Sequence, residues 1–115
     1  MKRTLFAFAM TLTAAPAFAE TPATGDEITA AISGNTVQGS MVEAGAYTEF
    51  YDVDGTIKGA DYTGTWTVEN DQMCFAYGEA PDCWSVSIEG DMVSWIKDGA
   101  VDGTGTLLPG NPNNF

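Results

Sequence analysis

The sequence predicts an all-β protein, an antiparallel meander curled into a small barrel or half-barrel with one short N-terminal helix. Beyond residue 34, Val, Thr, Tyr, Phe and Trp recur in runs of five to eight residues, broken by Gly and Asp pairs at hairpin spacing. Where two-residue turns can be placed, they bring apolar side chains opposite one another across neighbouring strands. The resulting apolar sheet face is longer than one short helix covers, and curling the meander hides both that face and the strand edges.

In chain order, Lys2 and Arg3 precede an apolar run from Leu5 to Leu12, and a small-residue stretch ends in Ala17-Phe18-Ala19. This is the pattern of a cleavable export signal over residues 1–19, cut between Ala19 and Glu20. The expected location is the periplasm or the secreted fraction. No second stretch approaches the eighteen or so apolar residues of a membrane helix, so no membrane span is expected after signal removal. Residues 20–25 read as a flexible N-terminus and residues 26–115 as a single small β domain.

A helix is expected from Asp26 to Ser33, with Ile28 and Ile32 four apart, acidic residues in the first turn and Gly34 at the C-terminal cap. Up to eight strands follow, near 36–42, 46–53, 56–60, 62–69, 72–77, 83–89, 92–97 and 101–108. A two-residue turn at Asn70-Asp71 sets Val68 opposite Met73 and Trp66 opposite Phe75. One at Gly90-Asp91 sets Ile88 opposite Val93 and Val86 opposite Trp95, with Ser85, Ser87 and Ser94 on the reverse side. Cys74 and Cys83 are the only cysteines, and an exported chain with an even count is expected to pair them. That pairing places Met73 beside Trp84 and the disulfide on the more polar face. In the first half, Glu49, Tyr51 and Val53 alternate with Phe50 and Asp52 without a clean apolar side, so either face can be the inner one. The tail from Leu108 to Phe115 is not strand-like and is expected along the surface.

Signal removal leaves Lys58 and Lys97 against all 16 carboxylates, a formal charge of −14. Such a field repels nucleic-acid phosphates and anionic lipid, and leaves cationic partners, divalent ions or plain solubility. The acids are spread singly and often stand beside Gly, as in Asp54-Gly55, Asp98-Gly99 and Asp102-Gly103, the chemistry of hairpin turns in water. Asp52, Asp54 and Asp61, or Asp98 and Asp102, offer oxygen ligands but lack the spacing of a calcium loop. The chain contains no histidine, no nucleophile elbow, no phosphate loop and no dinucleotide fingerprint. No catalytic, cofactor-binding or metal-ligating set emerges, and the protein is not expected to be an enzyme.

Trp66, Trp84, Trp95, Phe75 and Tyr77 are numerous enough to line a ligand cavity, although alternation assigns the three tryptophans to the inner face, where core packing accounts for them. Tyr47, Tyr51 and Tyr62 are the candidates for an exposed recognition surface.

The strings Ser33-Gly34-Asn35-Thr36-Val37, Tyr47-Thr48-Glu49-Phe50-Tyr51, Asp54-Gly55-Thr56-Ile57-Lys58-Gly59, Tyr62-Thr63-Gly64-Thr65-Trp66, Met73-Cys74-Phe75 and Cys83-Trp84 resemble short exported alphaproteobacterial proteins of unknown function. The resemblance spans nearly all of the chain after the signal. It implies a small disulfide-linked β domain in the periplasm and brings no site residues. The expected function is a non-catalytic binding or interaction module whose partner is a cationic protein or a cell-envelope component. In outline the chain also looks like bacterial lysozyme inhibitors, whose basic targets an acidic barrel would attract, so inhibition of a basic cell-wall hydrolase is the alternative.

Overall fold

Thr24 starts the only helix among the described residues, 21–115, of the computed structural model; the expected signal and its cleavage point at Ala19 and Glu20 lie outside them. Helix α1 spans Gly25–Ile32. Strands β1 (Asn35–Met41), β2 (Gly45–Tyr51), β3 (Thr56–Lys58), β4 (Thr63–Glu69), β5 (Gln72–Ala76), β6 (Asp82–Glu89), β7 (Met92–Lys97) and β8 (Ala100–Leu108) follow. Each strand pairs antiparallel with the next, and β8 returns to β1 from Thr36↔Leu108 to Met41↔Gly103, so the barrel is closed.

Turn chemistry sets the registers. Asn70 and Asp71 both hold positive φ, 53° and 58°, the mirror-image turn whose twist matches a hairpin. Gly90, at φ 61°, opens the turn between β6 and β7. The pairs Val68↔Met73, Trp66↔Phe75, Met73↔Trp84, Ile88↔Val93 and Val86↔Trp95 form as the sequence predicts. Cys74 faces Cys83 at a Cα separation of 4.0 Å and the two are disulfide-bonded.

Antiparallel order gathers the turns at 52–55, 70–71 and 90–91 at one end of the barrel, and those at 42–44, 59–62, 77–81 and 98–99 at the other. Helix α1 closes the first end. Its Ile28 and Ile32 are fully buried and join Val37, Tyr51, Ile57, Met73, Val86 and Val93 in the core. The helix is anchored by a capping box, in which the Thr24 hydroxyl accepts the Glu27 amide and the Glu27 carboxylate accepts the Thr24 amide. The Gly25 amide also donates to Asp71 Oδ1 across the β4–β5 turn.

Two expectations need correction, and one left open is resolved. Part of the 20–25 stretch is anchored rather than flexible: Ala23 is 7 % exposed and donates its amide to the Val86 carbonyl, filling the edge of β6 beyond the start of β5. Asp102-Gly103 is no turn but part of β8, where Trp95 pairs Gly103 and Ile96 pairs Val101, leaving Asp102 as the extra residue of a bulge. The ambiguous face of β2 resolves with Tyr47, Glu49 and Tyr51 inward, so a carboxylate enters the barrel. The tail is not strand, as expected, and it folds back over β1: the buried Thr36 hydroxyl donates to the Gly110 carbonyl, and the Gly110 amide donates to Asn35 Oδ1.

Candidate functional site at the open end of the barrel

Opposite the helix the barrel opens into a cavity of about 500 Å³. Its walls are the rings of Tyr47, Tyr51, Tyr62, Phe75, Tyr77, Trp84 and Trp95, and its acidic groups are Glu43, Glu49 and Asp102. Phe75 packs edge-on against Tyr51, Trp84 and Trp95, with centroids 6.1, 5.4 and 5.3 Å apart, which gives the cavity a rigid aromatic floor.

Glu49 is the centre of the site and only 6 % exposed. Tyr51 donates to its Oε1 at 2.6 Å and Tyr62 to its Oε2 at 2.7 Å. Tyr77 lies within reach of both oxygens, at 3.1 and 2.9 Å. Three phenol protons thus meet the roughly four lone-pair positions a carboxylate offers, both oxygens being engaged and Tyr77 having one proton for the two it reaches. They come from β2, from the 59–62 loop and from the 77–81 loop, so Glu49 ties two rim loops to the wall. Among the described residues the ion pairs are Lys58 with Asp52 and Lys97 with Asp82, and Glu49 belongs to neither.

Beside this cluster the indole of Trp95 donates to the Tyr47 hydroxyl at 2.8 Å, and that hydroxyl donates to the Thr104 carbonyl at 3.1 Å. The Trp84 indole donates to Asp102 Oδ2 at 3.0 Å, so the bulge in β8 turns Asp102 toward the rim. Lys97 Nζ lies 4.3 Å from the Trp84 ring centroid, paired with Asp82 and with the Cys83 carbonyl.

All four tyrosines resist ionisation. Burial is the first cause in each case, and the Glu49 charge adds to it: Tyr47 is pushed up to about 12, Tyr51 well above its ordinary value, and Tyr62 and Tyr77 in the same direction. The phenols therefore act as hydrogen-bond donors throughout the neutral range.

Small and inward-facing glycines make room for these rings. A Cβ at Gly59 would lie 2.2 Å from the Tyr62 ring, one at Gly64 2.7 Å from the Tyr77 ring, and one at Gly105 2.6 Å from the Tyr47 hydroxyl.

Of the three tyrosines expected on an exposed surface, only Tyr62 is exposed, at 41 %; Tyr51 is 1 % exposed and part of the core, and Tyr47 is half-buried in the cavity wall. The structure nevertheless brings all three to one cavity. Phe75, Tyr77, Trp84 and Trp95 join them there, whereas Trp66 donates its indole to the Asp52 carbonyl at the helix end and takes no part. Sequence reasoning missed Glu49, whose only trace was the broken alternation of β2, and weighed Asp102 only as a turn residue or oxygen ligand, its place at the cavity disguised by its neighbour Gly103. Asp54, weighed as an oxygen ligand, accepts the Thr56 amide within its turn. No helix among the described residues is long and apolar enough to cross a membrane. Comparison with known proteins finds no match to any family model, curated protein or solved structure.

Proposed function

We propose that this chain is an exported, non-catalytic binding module that takes a small ligand into the open end of its barrel. One observation carries the reading: a single cavity at the end away from the helix combines an aromatic wall with a few converging polar groups. Its size falls within the roughly 300–1,000 Å³ typical of small-molecule sites. An eight-stranded barrel has an interior that side chains can fill or that can hold one small ligand, and here the core fills the helix end while the other end stays open. The absence of histidine from the sequence and the engagement of both Glu49 oxygens by phenol donors favour binding over catalysis. The apolar leader and the Cys74–Cys83 disulfide support an oxidising, exported compartment. The alternative, inhibition of a basic cell-wall hydrolase, draws on the same acidity, with a basic side chain of the target as the occupant.

The test is native mass spectrometry of the folded protein against a panel of small neutral, anionic and cationic compounds, repeated with Trp84→Ala. One-to-one adducts that weaken in the variant support the reading. No adduct at millimolar concentration, or adducts indifferent to Trp84, overturns it.

A further inference from the structure

Resting on that reading of the mouth, we infer that its ligand is a small quaternary ammonium compound, held by aromatic faces around a carboxylate that attracts it without hydrogen-bonding to it. The charge of the cavity comes first. Glu43, Glu49 and Asp102 line it and no basic side chain does, so an anionic ligand meets three carboxylates, the nearby Lys97 at the rim being already paired with Asp82. Aromatic rings supply most of the remaining wall, and their faces attract cations.

The kind of cation follows from Glu49. Both of its oxygens are already engaged by Tyr51, Tyr62 and Tyr77, and no cation pairs with it among the described residues. A primary ammonium brings three donors that each need an acceptor, whereas Glu49, already holding three phenol protons, has about one lone-pair position left to give. A quaternary ammonium has no N–H donor and requires only negative potential and aromatic contact, which this arrangement provides with every phenol in place. The rim shows that its rings accept an alkylammonium: Lys97 Nζ already lies 4.3 Å from the Trp84 centroid.

Calorimetry on the intact, disulfide-bonded protein separates charge from shape, using choline and its neutral carbon isostere 3,3-dimethylbutan-1-ol. The inference expects choline to bind at least about tenfold more tightly than the isostere. Glu49→Gln should erase most of that preference, and Asp102→Asn should reduce it while leaving the Tyr–Glu49 cluster intact. Nα-acetyl-lysine methylamide is the second arm and is expected to bind more weakly than choline. Equal binding of choline and the isostere overturns the inference but leaves the mouth as a binding site. Preference for the lysine derivative overturns the quaternary assignment and moves the cation to a protein side chain. No binding of any probe overturns the inference, and the compound panel above then decides separately whether the mouth binds ligands at all.

Discussion

Gly105 and Tyr47 share one space: a Cβ at Gly105 would stand 2.6 Å from the Tyr47 hydroxyl and 2.5 Å from Val37 Cγ1. The glycine is what lets the Tyr47 hydroxyl sit between the Trp95 indole and the Thr104 carbonyl. Gly105→Ala should therefore destabilise the protein by about 1–3 kcal/mol, the usual cost of overpacking. Urea denaturation followed by tryptophan fluorescence measures it, with a shifted native emission as Trp95 loses its partner. A variant as stable as the parent would show that the ring has room to move.

Alkaline pH should weaken the fold through the tyrosines. Each has a folded-state value above its ordinary 10.0, so the folded chain retains protons that the unfolded chain has lost. The stabilisation is complete below pH 10 and falls as pH rises through the folded values, that of Tyr47 being about 12. Absorbance at 295 nm should show no phenol titrating near pH 10 in the folded protein and all four titrating there in denaturant. A phenol that ionises near pH 10 in the native state would contradict the Glu49 cluster.

The disulfide lies at the base of the 77–81 loop that carries Tyr77 to Glu49. Closing about ten residues restricts the unfolded chain by roughly 2–3 kcal/mol, and Cys74→Ser with Cys83→Ser should lose about that much. The far-ultraviolet dichroism of the sheet should survive, while proteolysis within 77–81 accelerates. Unchanged cleavage there would mean that the Tyr77 contact holds the loop alone.

At the opposite end, Thr24→Ala removes the side-chain half of the capping box and should cost about 1 kcal/mol. Choline affinity should not change, because the helix and the mouth occupy opposite ends of the barrel. A parallel loss of binding would show that the ends are coupled.

The second half of the barrel was legible because independent constraints agree there. Two-residue turns at Asn70-Asp71 and Gly90-Asp91 fix register, and the cysteine pair links the hairpins they form. The first half was not, because Glu49 occupies an inward position and a carboxylate normally marks the outer face. Its burial depends on phenols 13 and 28 residues further along the chain, a long-range convergence that no local pattern encodes. Gly64 and Gly105 left a faint signal, since glycine inside a strand marks close approach of another group. Asp102 shows the opposite failure: an Asp-Gly pair usually turns a hairpin, yet here it forms a bulge because the turn is already made at Asp98-Gly99.

The most direct test of the central claim, that the open mouth receives the ligand, uses the three tryptophan indoles as reporters within one molecule. Trp84 and Trp95 donate to Asp102 and Tyr47 at the mouth, whereas Trp66 donates to the Asp52 carbonyl at the helix end. In ¹H–¹⁵N spectra recorded during a choline titration, the Trp84 and Trp95 indole resonances should shift along one saturable curve while that of Trp66 stays in place. A shift confined to Trp66, or equal shifts of all three, would contradict the claim, while no shift at all would overturn choline as the probe of the mouth and pass the claim to the compound panel.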